Sequence, residues 1–325
     1  MSRDLPMKRI ACVAAALALF SAAASAQDYP NKPVRVIASS SAGGISDIFM
    51  RTLGEEMHKR WGQPLVIENR PGGQFNIGAK ACVDAAPDGY TICILPADVL
   101  QYNRHVIRNL TYDMFTDLEP VTQLFFLTQG LVVSSKLNVS TLDQLAAYSK
   151  AHPGTLSYTA AAIPHQAFME SWKNESGADI VRVPFKGGGD AVNGMLTGAT
   201  PVAFFGIGNF ISHLQAGTLK GIAVDADKRS PLFPNIPTLK ELSPKAEVTR
   251  ADFSIWVPKG TPKAIISRIR NEIAKVASDP AFVDKNVVQR GLDPSFNTPE
   301  QFAQYLKEQK VQVDQTAKKA NLQPQ

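Results

Sequence analysis

Apolar residues come in short runs separated by small and polar ones, and their period switches repeatedly between strand-like and helical. Residues 34–38 form a β-rich apolar run and predict a strand. Residues 39–44 break it. Ile45, Ile48, Phe49, Leu53 and Met57 then recur at helical spacing as far as Trp61, and Gly62 supplies the stop. A second strand at 64–68, a turn at 69–73, a helix over 77–85, an Asp88-Gly89 turn and a third strand at 90–95 follow. The same grammar returns further on. It predicts strands at 131–133, 156–159, 180–184, 202–205 and 219–224. Between them come a helix from Thr141 capped by Ser140, another from about His165, and a third from the Lys186-Gly187-Gly188-Gly189 turn to Leu196. The C-terminal part is helical. Thr261-Pro262 gives a cap and a first-turn proline ahead of an Ile265, Ile266, Ile269, Ile273 stripe, and Thr298-Pro299-Glu300-Gln301 is a capping-box pattern. Alternating β and α units call for parallel or mixed sheets with helices on both faces, and two α/β lobes suit this length better than one sheet.

The first 26 residues follow a different pattern. Met7-Lys8-Arg9 precedes an apolar, alanine-rich stretch from Ile10 to Ala24, and Ala24-Ser25-Ala26 is an A-x-A cleavage signature. This is the layout of a secretory signal peptide, and the stretch is short for a membrane span. Export through it places the mature chain, from Gln27, in the periplasm. A retained N-terminal anchor is the alternative. No later apolar run reaches the roughly 18 residues of a transmembrane helix.

Composition adds exclusions. Of 325 residues 44% are hydrophobic and 19% charged, which rules out a disordered chain. The net charge of +5 falls to +3 once Arg3, Asp4, Lys8 and Arg9 leave, and the basic residues are dispersed, so nucleic acid is not an expected partner. Cys12 leaves with the leader. Cys82 and Cys93 stand eleven residues apart, a permitted disulfide in an oxidising compartment or two buried thiols.

Candidate chemistry points away from catalysis. G-x-S-x-G, H-E-x-x-H and the phosphate-binding glycine loops are absent. His58, His105, His152, His165 and His213 show no metal-ligand spacing. No catalytic residue, metal or cofactor is therefore expected. What stands out is small-residue turns where strands meet helices: 39–47, 71–76, 159–165 and 186–190. Backbone N–H groups at a helix start can hold an anion, and in open α/β sheets this is where ligands bind. Each turn taken singly also reads as a plain βα connection. His165 is the one histidine at such a turn, either a ligand contact or an ordinary helix-start residue.

The blocks Tyr29-Pro30-Asn31-Lys32-Pro33-Val34-Arg35, Gly43-Gly44-Ile45-Ser46-Asp47 and Glu68-Asn69-Arg70-Pro71-Gly72 resemble Bug-type solute-binding proteins, the receptors of tripartite tricarboxylate transporters. The resemblance continues through Ala86-Pro87-Asp88-Gly89-Tyr90-Thr91, Val183-Pro184-Phe185-Lys186-Gly187-Gly188 and His213-Leu214-Gln215-Ala216-Gly217, and covers essentially residues 29–310. It implies a periplasmic-binding-protein type II fold: lobe 1 from residues 27–128 plus 253–325, lobe 2 from 129–252, a hinge, and an interlobe cleft. It further implies a monomer that captures a small carboxylate and passes it to the permease subunits of a membrane transporter. A sensor that docks on a membrane kinase, or a periplasmic enzyme, are the rivals.

Carried over residue by residue, the resemblance nominates Ser40, Ser41, Ala42, Gly43, Gly44, Ile45 and Ser46 as one anion-binding loop. It nominates Ala160, Ala161, Ala162 and His165 as the other, with Asn76 beside them. The chain departs from the family pattern where Phe75, Phe168 and Phe205 replace small or acidic residues, and where the 159–165 loop is shorter and poor in glycine. Phe75 and Phe205 are expected as walls of the cleft. A flat apolar face suits a ring, so an aromatic carboxylate such as a phthalate or terephthalate is the expected ligand. The same phenylalanines could instead pack beneath the loops.

Overall fold

The computed structural model describes residues 29–324, apart from 161, 186, 227, 231, 244–250, 320 and 321. The leader, residues 1–26 with Cys12, lies outside the described residues, as does Ala161.

Strands β1 (Val34–Ala38), β2 (Leu65–Asn69), β3 (Thr91–Leu95), β4 (Leu118–Leu127), β10 (Ala251–Pro258) and β11 (Leu292–Pro294) form a six-stranded sheet in the order β11-β4-β10-β3-β1-β2. Strands β5 (Gln129–Ser134), β6 (Ser157–Ala160), β7 (Val181–Arg182), β8 (Val202–Gly206) and β9 (Leu219–Asp225) form a five-stranded sheet in the order β7-β6-β8-β5-β9. Both are mixed. β1 runs parallel to β2 and β3, whereas β10 is antiparallel to β3 and β4. β6 runs parallel to β7 and β8, whereas β5 is antiparallel to β8 and β9.

The helices of eight or more residues are α1 (Ile45–Trp61), α2 (Asn76–Val83), α3 (Ala97–Val106), α4 (Leu142–Ala151), α5 (Ile163–Ser176), α6 (Gly188–Thr197), α7 (Lys263–Ala277) and α8 (Pro299–Lys319). No helix among the described residues is long and apolar enough to cross a membrane.

The central strands read as continuous apolar runs because both faces of each sheet are covered. In β1, Val34, Val36 and Ala38 enter one core cluster while Ile37 points to the other. In β3, Ile92 and Ile94 take the first side and Cys93 and Leu95 the second. The five-stranded sheet repeats this: Val202 and Phe204 face one cluster, Ala203 and Phe205 the other. Each such side chain, removed fully from water, contributes about 1.5–3 kcal/mol before entropy is counted.

Helix ends follow local rules. Gly62 closes α1 at φ 78°, a left-handed conformation that glycine adopts without a Cβ clash. Thr298 Oγ1 accepts from Gln301 N at 3.2 Å while Gln301 Oε1 accepts from Thr298 N at 2.9 Å, the reciprocal capping expected of that tetrapeptide. Thr141, rather than Ser140, caps α4, accepting from Gln144 N at 3.1 Å. Pro262 stands at the cap of α7 rather than in its first turn. β7 keeps two residues of the run at 180–184, because it is an exposed edge strand.

Four of these elements have no counterpart in the sequence reading: α3, β11, β4 and β10, and the last two matter most. β4 mixes polar and apolar residues and includes Pro120, and β10 opens on Ala-Asp-Phe-Ser. Their pairing with each other, across more than a hundred residues of chain, makes them strands. They also carry the crossing between sheets. β4 ends at Leu127 and β5 begins at Gln129, and the chain re-enters the six-stranded sheet at Ala251.

Cys82 on α2 and Cys93 on β3 form a disulfide with a Cα–Cα distance of 6.1 Å, which decides between the two alternatives left open by their spacing.

Candidate functional site

The carboxyl ends of β1, β3 and β8 approach one another across the crossing, and a cleft with an empty volume of about 490 Å³ lies between them. Its residues come from both sheets. Ser40, Gly44, Ile45 and Ser46 follow β1; Pro96, Asp98 and Val99 follow β3; Phe205 and Gly206 end β8 and Asn209 lies in the short turn after it; Ala162 and Gly188 stand at the starts of α5 and α6. Leu127 and Gln129 at the crossing, with Ala251, Asp252 and Phe253 on β10, complete the floor.

Three phenylalanines give the cleft its apolar character. Phe75 sits immediately before α2 with φ 67°, a left-handed conformation that costs a non-glycine residue about 1–2 kcal/mol. Its ring packs edge-on against Phe253, 6.3 Å between centroids at 85°. Phe205 reaches the cleft from the other sheet while its remaining surface joins the core. Phe168, the third departure from the family pattern, packs edge-on against Phe204 in the core and does not line the cleft.

The loop after β1 is wired more tightly than a free anion cradle. Asp47 Oδ2 accepts from Gly43 N at 3.0 Å and from Arg51 Nε at 3.1 Å, and Oδ1 accepts from Asn69 Nδ2 at 3.0 Å. Burial would raise the Asp47 pKa, but the hydrogen bonds from Arg51, Gly43 and Asn69 and the Arg51 charge outweigh it and hold the carboxyl below its usual range. The Gly43 N–H is thereby already used, and Gly44 N donates to Ser41 O. Ile45 N donates to Asn209 Oδ1 at 3.0 Å, a bond between the two sheets. Ser40 and Ser46 share a hydroxyl–hydroxyl hydrogen bond at the cleft wall, and these two hydroxyls are the polar groups the loop presents there.

Glycine permits the opposing wall. A Cβ on Gly187 would stand 2.8 Å from Ser41 N, so the start of α6 can meet the loop after β1 only without a side chain.

Of the nominated residues, Ser40, Gly44, Ile45, Ser46, Phe75, Ala162 and Phe205 come together at the cleft. Ser41, Ala42 and Gly43 in the loop after β1, Asn76 at the start of α2 and Ala160 at the end of β6 do not line it, and Ala161 is outside the described residues. His165 is elsewhere. It is 2% exposed, its Nε2 is 2.8 Å from Asp225 Oδ2, and its ring lies 4.2 Å from that of Phe204. It is a core residue of the five-stranded sheet: the first turn of α5 points it inward, a direction that position in a helix start does not disclose.

Asp98, Gln129, Asn209 and Asp252 were not nominated. Asp252 is fully buried. Its Oδ1 accepts from Asp98 N at 3.3 Å, and its Oδ2 accepts from Gln123 Nε2 at 3.1 Å and from Ser254 Oγ. Ser295 Oγ and Asn297 Nδ2 donate in turn to Gln123 Oε1, which fixes the amide. Burial pushes the Asp252 carboxyl up to about 6. Burial and then the Asp252 charge raise Asp98 well above the ordinary carboxylate range. No group of three or more His, Cys, Asp or Glu among the described residues could hold a metal ion.

Residues 49–322 match the family described as "Tripartite tricarboxylate transporter family receptor". The protein BugT of Bordetella pertussis is 32% identical over 289 residues, covering 88% of this chain and 88% of that one. The solved structure of the periplasmic binding protein BugD superposes with a TM-score of 0.83 at 27% identity, covering 91% of this chain and all of that one. Rpa4515 of R. palustris, solved with adipate, gives 0.82 at 26% identity over 92% of this chain and all of that one. The expected architecture and family are thus borne out. This chain belongs to the receptor family of the tripartite tricarboxylate transporters, periplasmic solute-binding proteins of the type II fold.

Proposed function

We propose that this chain captures an aromatic carboxylate, a benzoate- or phthalate-like acid, and delivers it to the membrane permease of a tripartite tricarboxylate-type transporter. The observation that carries the reading is the trio Phe75, Phe205 and Phe253 around a narrow cleft whose loop side offers the Ser40 and Ser46 hydroxyls beside the start of α1. Rings pack favourably edge-on or offset on phenylalanine, and such pairs add about 0.5–1.5 kcal/mol beyond buried area. A carboxylate at the hydroxyl end gains charge-assisted hydrogen bonds and the helix-start dipole. Residues 1–26 serve as the export signal, and the two lobes, one built on the six-stranded sheet that the chain re-enters at Ala251 rather than at 253 and the other on the five-stranded sheet, close on the ligand as a monomer. Closure follows from binding because the ligand touches both lobes at once.

The test is calorimetry on the mature protein with benzoate, terephthalate, citrate and adipate, the acid present in the Rpa4515 structure. Benzoate or terephthalate binding more tightly than citrate and adipate supports the reading. Tight citrate or adipate binding with no heat from any aromatic acid overturns it.

A further inference from the structure

Asp98 is the first acidic residue of α3, 1% exposed, and it lines the cleft together with Ser40 and Ser46. Among the described residues, neither of its carboxyl oxygens has a hydrogen-bond partner. The N–H groups of Val99 and Asp252 direct their dipoles toward it, enough to favour its charged form slightly, without closing a hydrogen bond. Its neighbour Asp252 is saturated by Asp98 N, Gln123 Nε2 and Ser254 Oγ and offers it no donor. Among the described residues, no lysine or arginine lines the cleft. The site therefore combines hydroxyls and a helix start, aromatic rings, and an unsatisfied carboxyl in one cleft.

A buried polar group without a partner carries an uncompensated desolvation cost, and a charged one a larger cost. Such a group normally signals a missing partner. Whether ionised or protonated, a carboxyl has at least one oxygen that can accept, and a ligand N–H or O–H meets that need in either state. A second ligand carboxylate meets it only when Asp98 carries a proton, and otherwise faces two like charges. Alternation of attraction and repulsion at one residue is how sites discriminate between near-isosteric ligands.

We infer that Asp98 selects the ligand by a donor group: the ligand is an aromatic monocarboxylate that bears, besides its carboxylate, a hydrogen-bond donor, a hydroxyl or an amine, on its ring. This rests on the aromatic-carboxylate reading above and narrows it, favouring hydroxy- or aminobenzoate-like acids over terephthalate. Asp98 is a specificity residue here, and the carboxylate end is held by other groups.

The experiment is calorimetric titration at neutral pH of the wild-type protein, Asp98→Leu and Asp98→Asn with benzoate, 4-hydroxybenzoate, 4-aminobenzoate and terephthalate, with each variant's unliganded melting curve as the folding control. At least one donor-bearing acid is expected to bind wild type about tenfold or more tightly than benzoate and terephthalate, the ratio that one newly satisfied buried group supplies. In Asp98→Leu that preference disappears. In Asp98→Asn, whose amide can also donate, terephthalate gains relative to wild type; this variant keeps the test alive if the leucine variant does not fold. Equal binding of benzoate and the donor-bearing acids to wild type, or a preference that persists unchanged in both variants, overturns the inference while leaving the aromatic reading standing. Absence of binding by all four acids overturns the aromatic reading and this inference with it.

Discussion

The backbone N–H of Ile45, at the start of the helix that follows the first strand, donates to Asn209 Oδ1 in the short turn after the eighth strand, 3.0 Å away and on the side of the other sheet. Asn209 Nδ2 is held by Gly206 O at 2.8 Å, so the amide is oriented from its own sheet and reaches across. One side chain thus joins the two walls of the cleft. Asn209→Ala removes both bonds, worth roughly 0.5–1.5 kcal/mol each. The loss falls on the arrangement in which the walls meet. The ligand dissociation rate measured by stopped flow should rise about tenfold, with the melting temperature changed by a few degrees at most. An unchanged dissociation rate would mean that the bond does not hold the walls together.

Phe75 stands at φ 67°, where glycine is the unstrained residue, and presents its ring to Phe253 and the cleft. Strain of this kind persists where surrounding structure holds it, and it clusters at functional positions. Phe75→Gly relieves the backbone and deletes the ring. The two effects oppose each other in stability, so the melting temperature should move little, while affinity for an aromatic acid falls about tenfold, the equivalent of roughly 1–1.5 kcal/mol. Adipate titrated in parallel should lose far less. Equal losses for ring and chain ligands would remove Phe75 from the recognition surface.

His165 calls for the reverse outcome. Its imidazole meets Asp225 in the core, so His165→Ala leaves a cavity and a buried carboxylate short of a partner. Destabilisation of about 3 kcal/mol, read by denaturant titration, should accompany ligand affinity unchanged within about twofold at temperatures where the variant is folded. A large affinity loss without destabilisation would return His165 to the site.

The Cys82–Cys93 disulfide closes an eleven-residue separation between the second helix and the third strand, and neither cysteine lines the cleft. Paired replacement by alanine should lower unfolding free energy by up to about 3 kcal/mol, the loop-entropy expectation for so short a loop. Affinity should stay the same. A variant as stable as the parent would mean that strain in the oxidised form offsets the entropic gain.

What sequence patterning could reveal depended on how local the cause was. The 45–61 helix was legible because its apolar spacing, the small residues before it and Gly62 after it are consecutive. Phe75 and Phe205 stood out because large rings occupied positions where small or acidic residues are usual in relatives. Asp98, Asn209 and Asp252 carried no such mark. Asp98 meets Asp252 across 154 residues of chain, and Asn209 meets Ile45 across 164, so only the folded sheets reveal what these polar side chains do. The strands at 118–127 and 251–258 were illegible for the same reason. Each becomes a strand by pairing with the other, despite a proline and several polar residues. His165 failed in the opposite direction: its helix start was evident, the face it occupies was not.

The acidic pair also predicts a pH dependence with a definite sign. Burial lifts Asp252 to about 6 and, together with the Asp252 charge, raises Asp98 well above the usual value, whereas both titrate near 4 when unfolded. Between those limits the folded state holds more protons than the unfolded one, so the pair's contribution to stability is greatest at low pH and is lost as pH rises through about 4 to 6 and beyond. Asp47, Glu241 and Asp314, whose pKa values are lowered, act in the opposite direction and obscure the effect in a single melting curve. They are common to wild type and Asp98→Asn, so the difference between the two proteins isolates the pair. At pH 4.5, with Asp98 protonated and nearly isosteric with asparagine, the unliganded proteins should melt close together. At a pH high enough to ionise both carboxyls the variant, freed of one buried charge beside another, should melt a few degrees higher, the usual exchange of stability for a functional group. A gap that stays flat or narrows as pH rises would show that Asp98 titrates as an ordinary carboxylate and carries no such cost in the cleft.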